Sequence, residues 1–357
     1  MKQKEFNMNK ALLWFRNNLR TLNNDSLTLA SQHEVCFPIY IHDETVQRKK
    51  GQASYVWLHY ALHSLKNHLN QSLSYYKGNS AEIILKLIED YKIKTLYFDD
   101  PLDPSMEEND KNLINQLSQK DVVVIKTTQR CLWDLKKIKN KENNPYKVFT
   151  PFYKKGCLAQ KEPNKPLNKI VNKSSLENLP SSINLEDLGL LPANTWHQKL
   201  IQNWDISEAG AQQLWKNFLK KGLLNYQEGR NFPNKKNVSR LSPYIHFGQI
   251  SIQQLYHDIC NHGDSKNHEV FLSELGWREF SYYLINHFPR IRTKNFQEKF
   301  DQFPWEFNKH YYKAWCYGKT GYPIVDAGMR ELYQTGYMHN RVRMICGSFL
   351  VKNLLIH

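Results

Sequence analysis

The sequence has no uninterrupted apolar run near the roughly 18 to 20 residues that a membrane-spanning helix needs. Its start, Met1 to Asn7, lacks the apolar core of a secretory signal, so we expect a cytoplasmic protein that does not enter a membrane. The six cysteines include no C-x-x-C pair, which indicates free thiols and neither a disulfide framework nor a zinc site. No G-x-G-x-x-G motif follows the first predicted strand, which argues against an ordinary dinucleotide site there.

Length and charge describe a basic, folded protein. The 357 residues are enough for about two domains. Lys and Arg total 49 against 34 Asp and Glu, a formal net charge of +15, and 41% of the residues are hydrophobic, which excludes disorder of the whole chain. Nine Trp and 20 Tyr are more than a core alone usually needs, so we expect some rings to serve in stacking or electron transfer.

The first third alternates short apolar runs with amphipathic segments, which predicts an α/β, Rossmann-like domain over residues 1–134. Apolar residues recur at helical spacing between the strands, as at Leu58, Leu62 and Leu65. The predicted strands are Ala11 to Phe15, Val35 to Ile41, Ser74 to Tyr76, Thr95 to Phe98 and Val122 to Ile125. The predicted helices are Ser54 to Leu69, Ser80 to Tyr91 and Met106 to Leu117.

Residues 135–205 are predicted to form a basic connector between domains. From Leu135 to Lys173 there are eleven Lys and two Glu, which is +9 of the total charge, with four prolines among them. Such a run is typical of a solvated, mostly irregular surface segment. It is equally compatible with a flank that attracts phosphates.

Residues 206–357 are predicted to form an all-α domain. The last predicted helix, Met338 to Ile356, is apolar over a wide arc, so it needs neighbours on more than one side. Either earlier helices supply them or the chain is a fragment. The other predicted helices are Glu208 to Leu219, Ser251 to His262, Asn267 to His287 and Ile324 to Gln334.

Three local patterns in the helical half could carry chemistry. Ser239 and Ser242 flank Arg240 in a turn that leads to a helix, which is suited to phosphate but also typical of ordinary helix caps. Glu274 lies one helical turn from Trp277 and Arg278, so the three can share a face. That face could stack a flat ligand, or it could hold a surface ion pair beside a core Trp.

The third pattern groups Asn340, Arg341 and Met344 near one side of the last helix, with Val342 and Phe349 on another. A helix of this kind can present polar side chains and Met to a ligand-binding cleft. Met344 could equally be core filler.

Taken together and in order, the motifs resemble the photolyase and cryptochrome family, specifically the bacterial cyclobutane pyrimidine dimer DNA photolyases. The resemblance extends from residue 10 to the end of the chain. It rests on Leu12 to Arg20, Tyr146 to Phe152, Ser239 to Gly248, Glu274 to Phe280, Lys319 to Arg330, His339 to Arg341 and Ser348 to Lys352.

The resemblance implies an α/β N-terminal antenna domain and an all-α C-terminal domain that binds FAD. It further implies a partner, UV-damaged DNA, whose dimer is flipped into a cavity above the flavin and split by an electron from photoexcited reduced FAD. Glu274, Trp277, Asn340 and Met344 match residues that contact the dimer, and Trp305 matches the surface end of a tryptophan electron chain. The matches to cofactor-binding positions are Tyr226, Val238, Ser239, Arg240, Leu241, Ser242, Phe271 and Arg343. Arg230, Arg278 and Arg341 match basic positions that contact DNA phosphates or brace the flavin site.

The sequence departs from the family pattern in informative places. Val238 stands where a Thr is usual, and Ser105-Met106 stands where folate-binding relatives carry Asn-Glu, so a methenyltetrahydrofolate-like antenna chromophore is only weakly indicated. The family's acidic and Asn flavin contacts and its two inner tryptophans are not found before His357. We therefore expect a C-terminally truncated photolyase, with an incomplete helical domain, that binds FAD poorly or not at all.

Three functions remain open on the sequence. The first is a light-dependent DNA repair lyase, which Glu274, Trp277 and Met344 favour. The second is a cryptochrome-type blue-light photoreceptor. The third is a non-catalytic remnant that keeps only a basic DNA-binding face. We expect a monomer without an obligate protein partner in each case.

Overall fold

A five-stranded parallel sheet forms the N-terminal half of the fold. The computed structural model describes residues 9–46, 48–167 and 169–357. The segment Met1 to Asn7, which lacks the apolar core of a signal, lies outside the described residues. The strand order is β3-β2-β1-β4-β5, and every pairing is parallel. The strands are β1 (Lys10–Phe15), β2 (Val35–Asp43), β3 (Ser74–Gly78), β4 (Thr95–Asp99) and β5 (Val123–Thr127).

Four helices cover the two faces of this sheet: α1 (Asp25–Ala30), α2 (Gln52–His68), α3 (Ser80–Asp90) and α4 (Pro104–Ser118). Successive residues of β1 point to opposite faces, so Leu13 packs in the same cluster as Leu62 of α2, whereas Leu12 packs in the cluster that contains Leu87 of α3. Side-chain caps fix several helix starts; Asn79, for example, accepts from the backbone N–H of Ala81. Burial on both faces explains why β1, β2 and β4 are nearly continuous apolar runs.

The connector contains more helix than its composition predicts. Helix α5 (Phe149–Pro151) continues directly into a π-helical turn, Phe152–Cys157, and α6 (Trp196–Ile201) precedes the helical half. Phe152 and Cys157 are completely buried, so this part of the connector belongs to the core. Turns of 3-10 helix occur at Lys173–Ser175 and Glu186–Leu188.

The helical half contains eight α-helices within the described residues. They are α7 (Glu208–Asn217), α8 (Tyr226–Gly229), α9 (Ser242–Phe247), α10 (Ile252–His262), α11 (Lys266–His287), α12 (Lys309–Cys316), α13 (Pro323–Thr335) and α14 (Asn340–Ser348). Shorter turns lie at Phe218–Gly222, Leu223–Asn225, Pro289–Arg292, Glu298–Gln302 and Phe349–Asn353.

The helical half is fixed against the carboxyl end of β1. The backbone N–H of Leu19 donates to the carbonyl of Phe247 at 3.1 Å, and Arg20 Nη1 donates to the carbonyl of Gly248 at 3.1 Å. Gly248 has φ +72°, and a Cβ there would overlap the backbone of Asn17. Glycine is therefore required at this crossing for both conformational and steric reasons.

The prediction of an α/β half followed by a helical half is confirmed. The five predicted strands and the three long helices between them all occur, with ends within two residues of those expected. The last helix is shorter than the predicted Met338 to Ile356, because α14 ends at Ser348 and continues only as a π-helical turn over Phe349–Asn353. Its apolar arc is partly uncovered: Ile345 is 42% exposed and Val351 38% exposed.

Candidate functional site

Two predicted site residues share one face of the long helix α11. Trp277 is 47% exposed, which is unusual for so large a ring, and Glu274 lies one turn before it. Glu274 Oε1 accepts a hydrogen bond from Arg230 Nη1 at 2.5 Å, and the two side chains are only 31% and 11% exposed. An oriented carboxylate and an open indole therefore lie side by side, which suits a flat ligand that carries hydrogen-bond donors.

Arg230 orients Glu274. Its guanidinium also lies 5.4 Å from the ring of Tyr226, a buried neighbour on α8. Burial lowers the pKa of Arg230, but the hydrogen bond to Glu274 raises it above its ordinary value overall. The contact of Arg230 with DNA phosphates or with the flavin site stays a prediction, and the structure shows its charge paired with that of Glu274.

Helix α14 joins this site through Arg341. Its Nε and Nη2 donate to Oδ1 of Asn231 at 2.9 and 2.7 Å, and Asn231 directly follows Arg230. Arg341 Nη1 lies 3.5 Å from Sδ of Met344, which is 57% exposed. Asn340 opens the helix and is exposed. The structure thus connects the α11 residues to the α14 residues by a chain of direct contacts.

The Ser239-to-Ser242 turn forms the polar part of the candidate cofactor site. Arg240 has φ +55°, and its guanidinium lies 4.5 Å from the ring of Trp204 and 4.6 Å from that of Tyr337. Ser239 Oγ accepts from the N–H of Leu241 at 3.4 Å, whereas Ser242 and Arg343 are exposed. Val238 is half-buried and offers no hydrogen-bonding group.

An unsatisfied buried nitrogen indicates that this site fits an anionic cofactor. Arg240 Nε is buried without a hydrogen-bond partner among the described residues, although such groups are nearly always bonded in native proteins. Both Arg240 and Arg343 influence the pKa of Tyr337, which burial raises. Two cations and an unpaired donor at this turn match the diphosphate chemistry of FAD.

Tyr226 and Phe271, two of the predicted cofactor-binding residues, are buried. Phe271 is 4% exposed, and its ring centroid lies 5.5 Å from that of Tyr226. Burial raises the pKa of Tyr226 to about 12, so it stays a neutral phenol at physiological pH. Leu241 is 1% exposed and packs in the same core cluster. All three predicted cofactor residues are therefore part of the hydrophobic core.

Two predicted residues lie outside the connected group. The Arg278 guanidinium pairs with the fully buried Glu279 at 3.2 Å and lies 4.8 Å from the ring of Tyr282, and its contact with DNA or with the flavin site stays a prediction. Trp305 donates its Nε1–H to the carbonyl of Phe300 at 2.8 Å, and its ring neighbours among the described residues are Phe303 and His357.

Sequence reasoning missed two contacts between the connector segment and α11. Glu279 is completely buried, and its Oε2 accepts from the backbone N–H of Leu132 in the connector at 2.9 Å. Phe149 stacks on the Trp277 indole with ring centroids 3.8 Å apart. Neither contact has a local sequence signal, because each joins segments more than a hundred residues apart.

A second candidate site lies at the carboxyl edge of the sheet. A cavity of about 640 Å³ opens there and is lined by Arg16, Asp43, Lys50, Ser105 and Met106, among others. Arg16 is held by Asp110 at 2.7 Å and lies 4.2 Å from the Trp14 ring. The strand order reverses between β1 and β4, and ligands of open parallel sheets bind at such a switch point.

The described residues contain neither a cluster of metal ligands nor a membrane-spanning helix. No group of three or more His, Cys, Asp or Glu side chains is placed to hold a metal ion in the described ranges. None of the helices in the part of the chain that the structure describes is long and apolar enough to cross a membrane.

Comparison with known proteins identifies the family. Two family models match: "DNA photolyase" over residues 11–169 and "FAD binding domain of DNA photolyase" over residues 271–357. The deoxyribodipyrimidine photo-lyase of Agrobacterium fabrum is 35% identical over 97% of this chain and 73% of its own length. Cryptochrome-2 of Arabidopsis thaliana is 30% identical over 97% of this chain and 60% of its own length.

The solved structure of a bacterial class III photolyase from Agrobacterium tumefaciens matches this fold with a TM-score of 0.92 and 35% identity. The match covers all of this chain and 75% of that one. The fold and the matched models define a two-part protein, with an α/β photolyase domain followed by a helical domain that binds FAD. The chain belongs to the DNA photolyase and cryptochrome family.

Proposed function

We propose that this chain is a DNA photolyase that repairs cyclobutane pyrimidine dimers with blue light. The observation that carries the proposal is the pair on α11: an indole that is 47% exposed beside a carboxylate held by Arg230. A purely signalling flavoprotein has no need of an open stacking surface next to an oriented hydrogen-bond acceptor. Matched relatives are named deoxyribodipyrimidine photo-lyases, which supports the same activity.

Each residue of the site has a role in this proposal. A damaged pyrimidine pair leaves the duplex at a lower unstacking cost than an intact pair, and Trp277 stacks against it. Glu274 accepts a hydrogen bond from a base N–H, while Arg230 fixes the carboxylate. Asn340 and Met344, both exposed on α14, would contact the same pair, and Arg341 would contribute positive charge toward the DNA backbone.

FAD is the cofactor that the second family model and the unpaired Nε of Arg240 support. When bound in its reduced form, it supplies the photoexcited electron that splits the cyclobutane ring. Ser239, Ser242, Arg240 and Arg343 would hold its phosphates. Because the Val238 side chain gives the phosphates no hydrogen bond where a Thr is usual in the family, we propose that flavin is held loosely, at well below one FAD per purified chain. A measured ratio of one would contradict this.

The test of the activity is the repair of a synthetic oligonucleotide that carries one thymine dimer. The chain, supplied with excess FAD and reductant, should restore intact thymines under blue light and not in the dark. Flavin photochemistry without repair would indicate the cryptochrome-type function. Salt-sensitive DNA binding with neither flavin nor a preference for damage would indicate the non-catalytic remnant.

The cavity at the sheet edge is the proposed site of an antenna chromophore. A folate of the methenyltetrahydrofolate type would place its planar ring near Trp14 and Met106 and its carboxylates near Lys50. Titration with this folate, followed by its near-ultraviolet absorbance, tests the proposal. Ser105 is exposed and lines the cavity, so Ser105→Tyr should weaken binding without unfolding the chain. Unchanged binding would place the chromophore elsewhere.

A further inference from the structure

Three nearly parallel rings form a stack that ends at Trp277. The rings of Phe149 and Trp277 have centroids 3.8 Å apart and an interplanar angle of 11°. Beyond Phe149, the ring of Tyr153 is 5.5 Å away at 10°. Two of the three rings belong to the connector, so the connector supplies one face of the indole's surroundings.

Gly276 lets the connector approach α11 closely enough for this stack. A Cβ at position 276 would lie 2.5 Å from Cδ2 and 2.6 Å from Cε2 of Tyr153. Any side chain there would push Tyr153 outward and, with it, the ring of Phe149. The glycine directly before Trp277 is therefore part of the geometry that sets the stack.

The connector turn is anchored independently of Phe149. Phe152 is completely buried, and its centroid lies 4.6 Å from that of Tyr283 and 5.1 Å from that of Phe280. Phe149 itself is half-buried at the edge of this cluster. The fold thus has other residues to dock the connector, and the contact of Phe149 with Trp277, at 3.8 Å, is closer than its contacts with Tyr153 at 5.5 Å and Phe280 at 6.0 Å.

We propose that Phe149 is a positioning residue for lesion recognition: it closes one face of Trp277, so a flipped-out pyrimidine pair stacks only on the opposite face. The inference rests on the proposed function. An exposed indole otherwise exchanges rotamers, and binding then carries the entropic cost of ordering it. Stacking against Phe149 orders the indole before the DNA arrives.

The first measurement needs no DNA. Acrylamide quenching of Trp277 is obtained as the difference between each protein and the same protein with Trp277→Phe, because the chain has nine Trp. Phe149→Leu removes the ring but keeps apolar volume and should raise this quenching. Phe149→Tyr keeps the ring and should not. Val148→Ala alters an adjacent side chain that is 60% exposed and serves as the matched control.

The second measurement is the dark affinity for an oligonucleotide with one thymine dimer. Aromatic pairs contribute about 0.5–1.5 kcal/mol, so Phe149→Leu should weaken binding by about twofold to tenfold. Affinity for undamaged DNA should not change. In a Trp277→Leu background, Phe149→Leu should have no further effect, since it acts through the indole.

Each contrary result overturns the inference in a different way. Tighter binding by Phe149→Leu would mean that Phe149 occupies the place of the base. Equal weakening in the Trp277→Leu background would mean that Phe149 acts on its own. Unchanged quenching would mean that it does not order the indole. A wild-type chain without dimer preference would instead refute the proposed function, while quenching still decides whether Phe149 holds Trp277.

Discussion

Arg230 and Glu274 are 44 positions apart in the sequence, yet their side chains form a direct ion pair with Nη1 and Oε1 at 2.5 Å. The pair lies between α8 and α11, at the edge of the open face that holds Trp277. Two partly buried charges satisfy each other there, and the carboxylate keeps one oxygen for a ligand. This relationship turns a helix-surface glutamate into an oriented acceptor.

Glu274→Gln should weaken dark binding of dimer-containing DNA by about tenfold to hundredfold, because a charge-assisted hydrogen bond contributes about 1.5–3 kcal/mol. Binding of undamaged DNA should change little. Affinity is measured by fluorescence anisotropy at fixed salt concentration. Glu269→Gln, at an exposed carboxylate in the first turn of the same helix, is the matched control and should behave as wild type. Equal losses in both variants would rule out a specific role for Glu274.

Arg341→Gln should weaken binding to damaged and undamaged DNA alike, because a phosphate contact carries no sequence information. The slope of log affinity against log salt concentration should become shallower by about 1. Titrations at several salt concentrations measure the slope. Arg290→Gln is the control: Arg290 is an exposed arginine that pairs with Glu298 beyond the far end of α11. An unchanged slope in Arg341→Gln would show that Arg341 does not meet a phosphate.

The buried carboxyl of Glu279 should make stability fall as pH rises from 4.5 to about 7. Burial raises its pKa from 4.5 to about 7, against the opposing effect of Arg278. The folded protein therefore keeps a proton that the unfolded chain has lost, so this group's contribution is largest below pH 4.5 and is lost through pH 7.

Urea unfolding of wild type and Glu279→Gln across this pH range measures the effect, and the difference between them isolates this group. The difference should shift in favour of Gln as pH rises. A difference that does not vary with pH would mean that Glu279 titrates alike in both states.

Gly328→Ala should lower the free energy of unfolding by about 1–3 kcal/mol through overpacking. A Cβ there would overlap Cγ1 of Val342 and lie 3.1 Å from Sγ of Cys346, where α13 crosses α14. Gly347→Ala is the control, because a Cβ at that position on α14 meets nothing within 4 Å. Helix propensity predicts that it stabilises by up to about 1 kcal/mol. Equal effects of the two substitutions on the free energy of unfolding would contradict the close packing of α13 against α14 at Gly328.

Sequence reasoning predicted the elements well because their signals are local. The five predicted strands and three predicted helices of the first 127 residues occur within two residues of their predicted ends, whereas the short helix α1 was not predicted. Glu274 and Trp277 were placed on one face by helical spacing alone, and the structure keeps them there. Local periodicity determines which residues share a helix face, and here it was sufficient.

The sequence could not predict the contacts between distant segments. Nothing in the sequence indicated that Arg278 pairs with the buried Glu279, because that burial depends on how the connector packs over α11. Arg230 likewise finds Glu274 only in the folded chain. The motif around Phe149 was noticed, yet its stacking on Trp277 depends on Gly276 and Tyr153, which meet only after folding.

The most direct test of the account is the ratio of dark affinities for one oligonucleotide with and without a single thymine dimer, measured on the FAD-supplied chain and on Trp277→Leu. We expect the wild-type chain to prefer the damaged strand by at least about tenfold, and Trp277→Leu to lose most of that preference while its undamaged-DNA affinity stays the same. Equal affinities in the wild-type chain would contradict the claim that the open face of α11 receives a flipped pyrimidine pair.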